Sequence, residues 1–97
     1  MSYVLRAEWT IGEGHTDTVL KALAELGPLS RREPGNKIYQ PYQAPDRPDV
    51  IHIFEVYEDE SAFQAHIDSD HYQRLVIGTV APLLVDRQRA VFHTLDL

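Results

Sequence analysis

A histidine and a glutamate are the residues of this chain whose types and spacing best suit acid–base chemistry: His66 and Glu55. From Asp59 to His66 is a step of seven residues, which on a helix is a rise of roughly 10 Å. Run back from Asp59 along an extended strand, the same distance takes about three residues. His66 therefore falls level with Glu55 and Val56, between helix and sheet. If the Glu55 face of the strand points to the helices, carboxylate and imidazole meet, and the carboxylate orients the ring and raises its basicity, as a general base requires. In the competing reading His66 is a satisfied core residue, and Glu55 turns to the other face to pair with Arg87 and Arg89.

His71 lies five residues past His66, so on one continuous helix the two rings do not share a face. A break at Ser69-Asp70 would let Glu55, His66 and His71 converge as a two-histidine, one-carboxylate set, but nothing in the spacing demands a metal. Asn36, after Pro34-Gly35, is a turn residue or an amide donor at a strand entrance, placed to orient a substrate oxygen or dioxygen. Trp9, Tyr39, Phe54, Phe63 and Tyr72 are either core or the walls of an aromatic pocket. No phosphate-binding glycine loop, Ser-His-Asp order or glycosidase carboxylate pair is present.

The elements that must position these groups follow from periodicity. Tyr3 to Ile11 alternates, with Tyr3, Leu5, Ala7, Trp9 and Ile11 on one face. Gly12-Glu13-Gly14 breaks that strand. A helix then starts near Thr16, with Val19, Leu20, Leu23, Ala24 and Leu26 at three-to-four spacing; its regular part ends at Gly27-Pro28, with room for one more turn over Leu29 to Arg32. Glu33-Pro34-Gly35-Asn36 is a turn. Lys37 to Gln43 is a second strand, and Val50 to Tyr57, apolar on both faces, is a central one. Acidic Glu58-Asp59-Glu60 opens the next helix, whose inner stripe is Ala62, Phe63, His66 and Ile67. Asp70 and Gln73 have the spacing of a capping box for a short further helix, and Arg87 to Leu95 is the last strand.

The order β-α-β-β-α-(α)-β predicts one α+β domain over residues 1–97 of the ferredoxin-like, split β-α-β kind. Its antiparallel four-stranded sheet has strands one and three in the centre and helices on one face. The other face is left open, and a homodimer packed sheet to sheet is the simplest cover. Composition agrees with a folded domain: 43% apolar and 25% charged residues. The absence of cysteine excludes disulfides and thiolate chemistry. A net charge of −6 with scattered basic residues argues against nucleic acid. No apolar run nears the roughly 20 residues of a membrane span, and Met1 to Arg6 has no secretory pattern, which makes the cytoplasm the default expectation.

The segments Ser30 to Tyr39 and Phe54 to His71, taken with their spacing, resemble the antibiotic biosynthesis monooxygenase family, including its quinol monooxygenase branch. The resemblance runs over nearly the whole chain. It implies a ferredoxin-like dimer whose sheets form a shared α/β-barrel, and oxidation of a small quinol or hydroxylated aromatic by dioxygen without flavin, metal or haem. On that pattern His66 is the base, Glu55 orients it, and Asn36 and Tyr39 position the substrate oxygen, with His71 and Tyr72 at the mouth. Tyr57 stands where the family often has tryptophan. The first strand lacks the asparagine of the haem-degrading relatives, which disfavours haem degradation. Two alternatives use the same residues: an isomerase acting on a small enolisable carbonyl, and a non-catalytic dimer that holds a small aromatic ligand.

Overall fold

A computed structural model describes residues 1–97. Four strands, β1 (Tyr3–Ile11), β2 (Asn36–Tyr42), β3 (Val50–Tyr57) and β4 (Leu84–His93), form one antiparallel sheet in the order β2-β3-β1-β4. Helices α1 (Thr16–Arg31) and α2 (Glu60–Asp68) are followed by a wider, π-wound segment, here α3 (Tyr72–Val80), and a 3₁₀ turn at Ala81–Leu83. This is the expected split β-α-β topology with β1 and β3 central. No helix is long and apolar enough to cross a membrane.

The alternation of β1 sets the layers. Leu5, Ala7, Trp9 and Ile11 sit on the helix side with Ile51, Ile53 and Tyr39, and α1 and α3 close over them with Val19, Leu23, Leu26, Leu75, Val76 and Val80. A second, smaller cluster of Leu5, Tyr57 and Phe63 lies under α2. Burying such side chains contributes roughly 1.5–3 kcal/mol each. The inner stripe of α2 is short: only Phe63 and His66 are buried in its nine residues. An imidazole thus occupies a position that the 3.6-residue period would give to an apolar side chain.

One local expectation is refined and one corrected. The regular part of α1 does not end at Gly27-Pro28; the extra turn is continuous helix to Arg31, with Pro28 inside it. Proline removes the bond to the carbonyl four residues back, Ala24. Both residues are exposed, so water can take that carbonyl, while Leu26, Gly27 and Ser30 keep the inner face packed. The cap before α3 is also not Asp70. The hydroxyl of Ser69 accepts from the Tyr72 amide (3.2 Å) and donates to the His66 carbonyl (2.6 Å), while Gln73 reaches back to the Ile67 carbonyl. The helix break is real, and it is Ser69 that stitches it.

On the far face of the sheet the edge strands carry Ile38, Tyr42 and Phe92 at 44, 42 and 47% exposure, while Val4 and Val56 of the central strands are buried between them.

Candidate functional site

The site forms where the end of α1, the α2–α3 break and the centre of β3 meet. Arg31, the last residue of α1, donates through Nε and a terminal nitrogen to the Tyr39 carbonyl (3.1 and 2.7 Å), tying the helix end to β2. The chain then turns through Glu33-Pro34-Gly35-Asn36. Gly35 has φ +84°, and a Cβ there would lie 2.8 Å from that of Ala62 on α2. Only glycine meets both demands, since it tolerates positive φ and lets backbone approach a helix closely. The Glu58 amide donates to the Gly35 carbonyl (2.8 Å), closing the turn onto the end of β3. The result aims the Glu33 side chain inward.

Glu33 is the hub. His66 Nδ1 lies 2.8 and 3.0 Å from its two carboxylate oxygens, and His71 Nε2 lies against Oε2 from the other side. The Asn36 amide nitrogen approaches Oε1 at 3.4 Å, and Asn36 Oδ1 is buried without a partner. Burial pushes the Glu33 carboxyl up, but the hydrogen bonds from His66, His71 and Asn36 outweigh it and hold it below the usual carboxylate range.

On the opposite edge of the His66 ring, Nε2 lies 3.9 Å from Glu55 Oε1. Pairing of Leu5 with Glu55 puts Glu55 on the helix side, which settles its direction. It is 3% exposed and accepts a 2.6 Å hydrogen bond from the Tyr57 hydroxyl. Burial raises its pKa to about 7, against the pull of Tyr57 and His66. Tyr39, deeply buried beside it, has its phenol pushed well above the ordinary value by burial and by the Glu55 charge.

A cavity of about 20 Å³ opens beside this group, lined by Trp9, Tyr39, Glu55, Phe63, His66 and Tyr72 and closed by Arg87 and Arg89 of β4. A single water needs roughly 10–15 Å³ in that measure, so the space admits one diatomic or water-sized molecule. Tyr72, Arg87 and Arg89 also line an open groove of about 510 Å³ with Ile67, Gln73 and Ile77. Between the two, Arg87 donates to the Tyr72 hydroxyl (2.6 Å), and the Arg89 guanidinium lies 5.7 Å over the Phe63 ring. Neither arginine has a carboxylate within ion-pair distance.

The sequence expectations sort accordingly. His66 lies level with Glu55, as the helix and strand rises predict, and Trp9, Tyr39, Phe63 and Tyr72 do line one cavity. Phe54 does not: it pairs with Arg6 and Gln40 on the far face of the sheet, because strand neighbours alternate sides. Glu55 is not the carboxylate that grips His66; at 3.9 Å from Nε2 it is beyond hydrogen-bond length, and its bond goes to Tyr57. Asn36 and His71 bear on Glu33 and not on the cavity. Glu33 stands in the sequence within the turn before Pro34-Gly35 and within the family-like segment Ser30 to Tyr39, and nothing in its spacing marks a chemical role.

Fold and site together define a ferredoxin-like α+β domain with a buried histidine–carboxylate centre on its helix side. Residues 2–76 match the antibiotic biosynthesis monooxygenase family, and the chain belongs to it. No curated protein sequence matches the chain. Among solved structures it is similar to protein SO0527 from Shewanella oneidensis, with 28% identity, 96% of this chain and 90% of that one covered, and a TM-score of 0.88. It is also similar to a protein described as an antibiotic biosynthesis monooxygenase (24% identity, 98 and 99% covered, TM-score 0.89). A third is Rv0793 from Mycobacterium tuberculosis (22% identity, 100 and 98% covered, TM-score 0.90). The last two share the fold.

Proposed function

We propose that the protein is a cofactor-independent monooxygenase that oxidises a small quinol or hydroxylated aromatic with dioxygen, and that His66 is its base. The observation that carries this reading is the Glu33–His66 contact at 2.8 Å on a ring that lines the cavity and whose other nitrogen faces Glu55, another lining residue, at 3.9 Å. With Nδ1–H donating to Glu33, Nε2 is left as an acceptor on the cavity side, the logic by which a buried carboxylate fixes the tautomer of a catalytic histidine.

The organic substrate lies in the groove with its ring against Ile67, Ile77 and Tyr72 and its hydroxyl turned past Tyr72 toward Nε2. Dioxygen takes the inner cavity. Loss of the phenolic proton to His66 gives a phenolate, and Arg87 and Arg89 at the cavity mouth favour that anion. The phenolate passes one electron to dioxygen, which overcomes the spin barrier, and the two radicals combine. One oxygen atom enters the ring and the other leaves as water with two substrate hydrogens, so the substrate supplies all the electrons. Glu55 holds a proton near neutrality and can return one to the departing oxygen.

The open sheet face carrying Ile38, Tyr42 and Phe92 packs against a second copy in this reading, giving a homodimer with an α/β-barrel. Sedimentation equilibrium should give twice the chain mass at micromolar concentration; a strict monomer there would remove the dimer.

The test of activity is dioxygen uptake on a panel of quinols and polyphenols in chelator-treated buffer. Uptake well above autoxidation, with one labelled oxygen atom found in the product, is the expected result. His66 with the Glu55 carboxyl 3.9 Å away and raised to about 7 equally suits proton transfer on an enolisable carbonyl. Solvent deuterium entering such a substrate with no oxygen consumed would replace the oxygenase reading with an isomerase. Saturable binding of an aromatic that then persists unchanged would leave a binding protein.

A further inference from the structure

From Glu33, His66 and His71 we infer a second property, independent of the oxygenase reading: a binding site for one divalent transition-metal ion. One donor atom from each of the three lies within 4.8 Å of the others. They come from three separate pieces of chain, the turn after α1, the body of α2 and the residue before α3, so their convergence is a product of the fold and not of local spacing. Two imidazole nitrogens and one carboxylate oxygen are the donors of borderline ions such as Zn²⁺, Co²⁺, Ni²⁺ and Fe²⁺, and are a poor set for Mg²⁺ or Ca²⁺, which require oxygen.

The surroundings are those of a metal site as well. A ligating histidine usually directs its other nitrogen at a carboxylate, and ligating carboxylates are themselves held by hydrogen bonds. His66 Nε2 faces Glu55 at 3.9 Å, with Tyr57 bonded behind it, and Glu33 Oε1 is approached by Asn36. His71 is 18% exposed in its side chain, which leaves an entry path and room for solvent ligands, whereas His66 is fixed at 2%. Metal–nitrogen and metal–oxygen bonds of roughly 2.0–2.2 Å place neighbouring ligand atoms about 3 Å apart or slightly more. The His66 and His71 contacts to Glu33 Oε2 are a few tenths of an ångström shorter than that. An ion enters by replacing the protons between these atoms while the exposed His71 side chain swings outward.

The consequence for His66 is specific. An ion on Nδ1 takes the lone pair there and forces the ring proton onto Nε2, where it points at Glu55. The loaded protein then has no base on the cavity side. Metal binding and proton abstraction at His66 exclude one another, and the ion acts as an inhibitor of any reaction that uses Nε2 as a base.

Untagged, chelator-treated protein titrated with Co²⁺ should bind one ion per chain, with a visible absorption band that Zn²⁺ displaces and Mg²⁺ does not. His71→Ala, at a partly exposed position, and Glu33→Gln should each weaken binding at least tenfold while keeping the circular dichroism of the wild type. His52→Ala, which removes a histidine 3.5 Å from Glu8 on the far face, should leave it unchanged. No saturable binding at one ion per chain, equal binding in folded His71→Ala and Glu33→Gln, or loss of binding in His52→Ala would each overturn the site. The oxygenase reading is tested separately by oxygen uptake in chelator. Uptake without Co²⁺ binding sinks only the metal site, and Co²⁺ binding without uptake sinks only the oxygenase.

Discussion

His66→Ala should lower kcat/KM for dioxygen-dependent oxidation by about 10²–10⁴, the range for loss of a positioned general base, while the protein remains folded. The His66 ring touches Tyr39, Tyr57, Phe63 and Tyr72 at centroid separations of 5.1 to 6.5 Å, so its removal also opens space. His66→Gln controls for that loss of packing, because it refills most of the volume without restoring a base. If His66→Gln retains near-normal turnover, His66 is a wall of the cavity and not its base.

Glu33→Gln sharpens the same test. The amide keeps the shape and one acceptor, but it presents an N–H₂ that can donate to Nδ1 and so stabilise the wrong tautomer. In a catalytic triad the equivalent change costs on the order of 10⁴ in turnover. A deep loss in Glu33→Gln, comparable to that of His66→Ala and not additive with it, is expected if the two act as one unit. Additive losses would mean that Glu33 serves His71 or the turn, and that the 2.8 Å contact to His66 is structural. Because the cavity holds only a small molecule, the Tyr72–Arg87 hydrogen bond must part before a substrate hydroxyl reaches His66. Rapid but unfavourable opening ahead of the chemistry would lower kcat/KM by the same factor in every variant, which leaves the ratios between variants unchanged.

Much of the fold was legible because it rests on short-range periodicity. The alternation of β1 and the stripe of α1 each name one buried face, and two named faces fix the layers. The level of His66 against Glu55 was legible for a similar reason, since helix and strand rises are fixed lengths that can be counted from a shared turn. What could not be read is which side of β3 faces the helices. Val50 to Tyr57 is apolar on both sides, so the pattern has no sign, and Phe54 and Glu55 could be exchanged without cost to the argument. Only the pairing of Leu5 with Glu55 decides it. Glu33 was hidden by a different kind of problem. Its turn was evident from Pro34-Gly35, but the direction of the side chain before that turn depends on contact between Gly35 and Ala62, which lie 27 positions apart in the chain. A carboxylate placed by tertiary closure leaves no periodic trace.

Glu55 yields the second large effect, and it is one of stability. In the folded protein its carboxyl titrates at about 7 against an ordinary value of 4.5, chiefly because burial penalises the charged form. Between those two values the folded state holds a proton that the unfolded chain has already released. The folded state therefore binds more protons, and stability falls as pH rises from 4.5 through 7, with no further loss above. At about 1.4 kcal/mol for each pH unit, the difference amounts to about 3 kcal/mol by pH 8. Glu55→Gln removes the titration and keeps an oxygen to accept the Tyr57 hydroxyl. In chelator, denaturant unfolding should show the variant gaining up to about 3 kcal/mol over the wild type at pH 8 and little at pH 5. Equal differences at the two pH values would mean that Glu55 is fully compensated in its charged form and that its elevated pKa is wrong. A gain at pH 8 has a functional reading too. A chain of 97 residues has a small core and little stability to spare. A carboxylate that weakens it at neutral pH, 3.9 Å from His66 Nε2 and lining the same cavity, is better explained by proton traffic there than by packing.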